Sequence, residues 1–167
     1  MVLLKKYGFR FFCSLSHVNE AGKVKFVDIS AKSVSLRTAS ARAELRLNEK
    51  AFNAAKSNKL KKGDLASTAV IAGILAAKNT SSLIPLCHQV PLLSCDINVS
   101  FNDSNRLVLL QSFVKAEQKT GVEMEALTAV SVAALTVYDM TKALGHDAVI
   151  QDIRLVHKDG GKSDYKL

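Results

Sequence analysis

Hydrophobic and polar positions follow two different periods along this chain. From Val34 to Leu47 apolar and polar residues alternate, which predicts a strand with one face toward water. Its phase slips once, near Thr38, so that Arg42 and Arg46 share a face that Arg37 does not. Val24 to Ile29 is a shorter apolar stretch that predicts a strand ahead of it. Cys95 to Phe101 alternates again, and with Arg106 to Ala116 it predicts a hairpin turning at Asn102-Asp103-Ser104-Asn105. Ala148 to Val156 predicts a last strand.

The second period is helical. Asn48 to Asn58 predicts a short helix, and Asp64 stands where an N-cap belongs ahead of a longer one over Leu65 to Lys78. On that helix Ala66, Ala69, Gly73 and Ala76 form a stripe of small residues that lets another element approach closely. From about Ala126 a third helix follows, with Met124, Leu127, Ser131, Ala134 and Tyr138 on one face. Val130, Ala133 and Ala134 give it a small-residue surface to match. The two long helices are therefore expected to pack together, with Lys62, Asp139 and Lys142 at the ends their crossing brings near. Strands mixed with two main helices, and no repeats, predict an α+β domain built on an antiparallel sheet.

Composition narrows the picture. A chain of 167 residues, 48 % hydrophobic, can bury one domain core. The net charge of +8 suits a nucleic acid, an anionic membrane or a phosphorylated small molecule. Met1 to Asn19 carries Lys5, Lys6 and Arg10 and no acidic residue, the composition of a mitochondrial transit peptide or of a disordered N-terminus. Without its three cations the remainder, 20–167, has 20 basic against 15 acidic residues and is expected to form a single domain. No run approaches the ~20 apolar residues of a membrane span. Three cysteines, Cys13, Cys87 and Cys95, argue against a disulfide framework, and Cys87-His88 with Cys95 and Asp96 lacks the spacing of a zinc site.

Candidate chemistry is concentrated around Lys119 to Lys142. If Thr120 to Glu125 is extended, Glu123 and Glu125 point to one side and share a pocket; if it opens the helix, Thr120-x-x-Glu123 fits a capping box. Between Glu125 and Asp139 no charge occurs, so the helix is expected to be buried and its flanking charges to need partners or a task. Asp139 and Lys142, three apart, are surface neighbours on a helix, either an ordinary ion pair or a reactive one. His88, in an apolar loop, is either structural or a proton-transfer group with an unperturbed pKa of ~6.5. The tail Gly160-Gly161-Lys162-Ser163 resembles the close of a P-loop, but Val156 stands where glycine is required and only four residues follow Ser163. A Gly-Gly flanked by Lys158 and Lys162 can still gather phosphate oxygens.

Taken together, Lys62-Gly63-Asp64, Ile71-Ala72-Gly73-Ile74, Leu83 to His88, Thr120 to Thr128, Tyr138-Asp139-Met140 with Lys142-Ala143, and Gly160 to Ser163 resemble cyclic pyranopterin monophosphate synthase, from molybdenum cofactor biosynthesis. The resemblance covers roughly residues 20 to 164. It implies a ferredoxin-like subunit whose antiparallel sheet is covered by helices on one face, and a homohexamer, a trimer of dimers, with active sites at subunit interfaces. The implied reaction rearranges 3′,8-cyclo-7,8-dihydro-GTP to the pyranopterin with a cyclic phosphate and releases pyrophosphate. By resemblance Asp139, Lys142 and Lys62 are catalytic. Leu86, Cys87, His88, Glu123, Met124, Glu125, Lys158 and Lys162 contact the substrate. No redox cofactor and no metal are expected, and nothing in the sequence indicates Mg2+, although a triphosphate can bring one.

The residue types suit that chemistry. Ring opening and reclosure need several proton transfers, and expulsion of pyrophosphate needs cations. A lysine crowded by other cations would have a lowered pKa. Gln89, Val70, Lys119 and Thr141 depart from residues frequent in bacterial members, and none is assigned to catalysis. Two other classes compete. A nucleic-acid-binding domain predicts clustered basic and aromatic residues, whereas only Lys56 to Lys62 is dense. A structural subunit predicts that Asp139, Lys142 and His88 are dispensable.

Overall fold

The computed structural model describes residues 22–167, so the transit-peptide reading of residues 1–19 lies outside the described residues. In chain order the elements are β1 (Ser35–Arg46), α1 (Glu49–Lys56), α2 (Leu65–Lys78), the one-turn α3 (Thr80–Leu83), β2 (Ser94–Asn102), β3 (Leu107–Gln118), α4 (Glu123–Thr141), β4 (Val149–Asp159) and the two-residue β5 (Tyr165–Lys166). The sheet is antiparallel throughout and runs β2-β3-β1-β4-β5. Disregarding β5, this is the βαββαβ order of a ferredoxin-like fold. The short β5, pairing Tyr165 with Lys158, gives no hydrophobic alternation by which the sequence could announce it.

Alternation in β1 and β3 sends Ala39, Ala41, Ala43 and Leu45, with Val108, Leu110, Val114 and Ala116, into the layer between sheet and helices, where all are buried. The pairing of β1 with β3 is continuous, so the pleat does not slip at Thr38. Val34 and Leu36 are simply on the open face of the sheet, both about half exposed. The irregularities of β1 lie instead on its β4 side, at Ser40/Ala41 and Arg42/Glu44, opposite Asp152 with its left-handed φ of 57°.

The Asp64 carboxylate caps α2 as expected, accepting from Ser67 N–H, and the Asn48 side chain caps α1, accepting from Ala51 N–H. The α2–α4 contact depends on Gly73, where a Cβ would stand 2.9 Å from the Ala129 carbonyl oxygen and 3.4 Å from Ala133 Cβ, besides meeting the Ile97 side chain. Ten α4 residues are buried, but the buried stripe runs through Ala126, Ala129, Val130, Ala133 and Val137. The face expected from Met124, Leu127, Ser131, Ala134 and Tyr138 is offset from it: Ala134 is buried but Met124 is 37 % exposed, because α4 is clasped by β1 and α2 from a different side. Residues 25–34 form no strand, contrary to the expectation for Val24 to Ile29; they run as an irregular strap.

Candidate active site

Two groups of polar side chains occupy opposite ends of α4. At its C-terminal end Asp139 lies between two lysines: Lys142 Nζ is 2.7 Å from one carboxylate oxygen and Lys62 Nζ 2.5 Å from the other. Lys62 also donates to the Asp139 backbone carbonyl at 2.9 Å. The packing of α2 on α4 produces this meeting, since Lys62 lies just ahead of the Asp64 cap. Hydrogen bonding from Lys142 and Lys62 holds the Asp139 carboxyl down at about 2, and the Asp139 carboxylate raises the Lys142 pKa. The lowered lysine pKa expected from cation crowding is therefore absent at Lys142, because the carboxylate stands between the two ammonium groups. All three side chains remain about half exposed.

At the N-terminal end a cavity of about 260 Å³ is lined by Leu86, Cys87 and His88 from the loop after α3, by Glu123, Met124 and Glu125, and by Val27, Ile29 and Lys32 of the strap. Glu123 opens α4 with Val122 as N-cap, and no side chain caps this end, so neither the extended reading nor the capping box holds. Two residues apart on a helix point about 200° from each other. Glu125 accordingly turns inward, 4 % exposed, while Glu123 turns outward to Lys158 Nζ at 3.3 Å, and the cavity wraps the helix end to reach both. The Glu123 carboxylate folds over Gly121, where any Cβ would collide with it. Burial, then the Glu123 charge, pushes the Glu125 carboxyl up, against one backbone hydrogen bond that lowers it. Burial also raises the Cys87 thiol, with a smaller contribution from Glu125. The other cysteine of this region, Cys95, is pushed up to about 11 by burial and lies in β2.

A second cavity of about 210 Å³ shares Lys32, Thr120, Gly121 and Glu123 with the first and continues past Lys119, Arg37, Lys158 and Lys162. Five cations there face only Glu123 and Asp159, so the floor is an anion-attracting surface next to the chamber holding His88 and Glu125. Lys158 and Lys162 meet as expected around the Gly160-Gly161 turn. Lys32, Arg37 and Lys119 complete the ring without having been singled out as site residues. Arg37 carried a signal, its opposite parity to Arg42 and Arg46, whereas Lys32 on an irregular strap carried none. Arg42 and Arg46 are on the open sheet face, where Arg42 pairs with Asp152 at 2.7 Å.

The two groups are far apart. From Glu123 to Asp139 is sixteen residues of helix, roughly 24 Å at 1.5 Å per residue. Eight of the expected residues therefore line one pair of adjoining cavities, and Asp139, Lys142 and Lys62 form a separate triad.

Comparison with known proteins adds the lineage of this arrangement. Residues 26–161 match the MoaC family. The chain is 46 % identical over 150 residues to a cyclic pyranopterin monophosphate synthase of Thermoanaerobacter sp. strain X514, covering 90 % of this chain and 95 % of that protein. It is 48 % identical over 155 residues to the Staphylococcus haemolyticus protein of the same name, covering 90 % and 97 %. Against molybdenum cofactor biosynthesis protein 1 of Drosophila melanogaster it is 46 % identical over 157 residues, 94 % of this chain but 28 % of that longer protein. With the family matched from the strap through the Gly160-Gly161 turn, and relatives of nearly equal length this similar, the chain belongs to the MoaC family.

Proposed function

We propose that this chain is a cyclic pyranopterin monophosphate synthase, converting 3′,8-cyclo-7,8-dihydro-GTP to cyclic pyranopterin monophosphate and pyrophosphate in molybdenum cofactor biosynthesis. The observation that carries the reading is the adjacency of the two cavities: a chamber with a histidine and a buried carboxyl shares the wall of Lys32, Thr120, Gly121 and Glu123 with a ring of five cations. A purine-derived ring system fits the first by hydrogen bonding and proton exchange, and its triphosphate fits the second. Glu125 is the group best suited to hold a proton there, since burial favours its neutral form. Lys158 and Lys162 stabilise the charge that develops as pyrophosphate leaves.

Lys62 and Lys142 act as proton donors or acceptors and phosphate ligands, with Asp139 orienting both. Paired with Asp139 they are suited to binding phosphate, and the carboxylate favours the protonated form of Lys142. Because one chain separates this triad from the cavities by roughly 24 Å, the complete site takes the triad of one subunit and the cavities of another. A homohexamer, a trimer of dimers, supplies such interfaces. The half-exposed triad supports this arrangement. The rearrangement runs without a redox cofactor or a resident metal, and residues 1–19 direct the chain to the mitochondrial matrix.

The test is direct. Purified protein, residues 20–167, is incubated with the cyclised GTP derivative and assayed for pyrophosphate and the fluorescent oxidised pterin, beside Lys142→Ala. Both products from the wild type and neither from the variant are expected. Neither product from a well-folded oligomer would leave the chain as a non-catalytic subunit.

A further inference from the structure

We propose that the irregular strap ahead of β1, at Phe26 and Val27, is a positioning element that sets the tautomer and orientation of His88, leaving Nδ1 as its proton-accepting atom. The inference rests on the reading of this cavity as the reaction site, but its geometry is independent of which substrate enters.

His88 Nε2 is 2.9 Å from the Val27 carbonyl oxygen. A carbonyl oxygen carries no proton, so Nε2 must be the donor. The neutral ring therefore has its hydrogen on Nε2 and a lone pair on Nδ1. The Phe26 ring lies against the imidazole with centroids 4.1 Å apart and planes inclined by 37°, covering one face and opposing rotation of the ring out of this hydrogen bond. The strap is itself secured. Lys119 Nζ donates to the Ser30 carbonyl at 2.7 Å, Ser30 N–H donates to the Asp28 carboxylate at 2.8 Å, and Lys32 N–H closes a turn onto the Ile29 carbonyl at 3.1 Å. Lys119 stands just before the Thr120-Gly121 corner, so the corner that shapes the cavity also holds the strap over His88.

This division of labour is that of an orienting group behind a general base. A backbone carbonyl fixes which nitrogen is protonated, and the opposite nitrogen is free to accept a proton. Phe26 is 52 % exposed, so burial does not explain a large aromatic side chain there. Its contact with His88 does. Because Val27 contributes its carbonyl rather than its side chain, Phe26 is the residue through which the arrangement can be tested.

The experiment uses the full chain, 15N-labelled at histidine, with His88→Gln to assign the His88 resonances. The wild type is expected to show the Nε2-protonated tautomer of His88 as the single neutral form. Phe26→Ala should show both tautomers in exchange, and turnover should fall on the order of tenfold in kcat with KM nearly unchanged. Phe26→Tyr, which keeps the ring contact, should restore the single tautomer and the rate. A wild-type ring protonated on Nδ1, or a Phe26→Ala spectrum indistinguishable from wild type, overturns the proposal. If the tautomer behaves as expected but the wild type forms no pterin, the positioning role stands and the assigned reaction falls.

Discussion

If the complete site is shared between subunits, two inactive chains should repair each other. Lys142→Ala removes one ammonium of the triad and leaves the cavity end of α4 untouched; His88→Ala removes the imidazole from the cavity and leaves the triad untouched. A general acid or base contributes about 10²–10⁴-fold, so each variant alone should retain at most about 1 % of wild-type turnover. Reacting groups must be held within about 3–3.5 Å, and a roughly 24 Å separation along α4 cannot be closed inside one folded chain. In a symmetric assembly formed from an equal mixture, each site draws its cavity from one chain and its triad from another. It takes an intact cavity in half the cases and an intact triad in half of those. The mixed oligomer should therefore recover about one quarter of wild-type activity. The assay is pyrophosphate release after co-expression of the two variants with different tags and purification through both. Activity that stays at the level of the single variants would refute the shared site.

Three further outcomes follow from the geometry. Asp139→Asn leaves Lys62 and Lys142 side by side without their common carboxylate, and turnover should fall about 100-fold or more. Since Asp139 is what raises the Lys142 pKa, the alkaline limb of the residual pH–rate profile should move to lower pH; an unmoved limb would separate Lys142 from that limb. Glu125 has its carboxyl pKa raised in the folded state, so its burial costs stability only above its ordinary value, increasingly as pH rises toward the folded one. Glu125→Gln should thus raise Tm at pH 7 to 8 while the difference vanishes near pH 4, and an equal gain at both pH values would contradict the linkage. Gly73→Ala forces a Cβ to 2.9 Å from the Ala129 carbonyl oxygen, an overpacking that should cost about 1–3 kcal/mol. Thermal denaturation should register a Tm lower by about 2–12 °C, and an unchanged Tm would show that the α2–α4 contact is looser than its atoms suggest.

The same residues show how much of this was legible in the sequence. Alternation and helical spacing found β1, the β2–β3 hairpin, both long helices and the Asp64 cap, because these elements are set by local periodicity and side-chain chemistry. The small-residue stripes also predicted the α2–α4 contact, and through it the meeting of Lys62 with Asp139. The failures are tertiary. Glu123 and Glu125 reach one cavity from a helix rather than from an extended segment, since the cavity wraps the helix end. The buried face of α4 is displaced from the predicted stripe because burial depends on which neighbours clasp the helix. Residues 24–29 look strand-like by composition but find no partner strand beyond a single bridge at Val24. The Val27 carbonyl accepts instead from the imidazole of His88, and that of Ser30, just past these residues on the strap, from the ammonium of Lys119.

That last substitution bears on how the site works. A strand in place of the strap would spend its carbonyls on a neighbouring strand, leaving His88 free to choose either tautomer. Kept irregular, the strap can place Val27 against the imidazole and Lys32 in both cavities at once. One short segment then joins the proton-transfer chamber to the anion-attracting one, while the sheet and α4 supply the fixed walls. Among the described residues the triad at the far end of α4 makes no such contact, and the length of the helix sets its distance from the cavities, the distance that a second copy would bridge in the proposed shared site. The division between a hydrogen-bonded strap and a helical spacer is why loss of Phe26 should disturb rate through His88 alone, whereas in the proposed shared site loss of Lys142 should be reparable by another subunit.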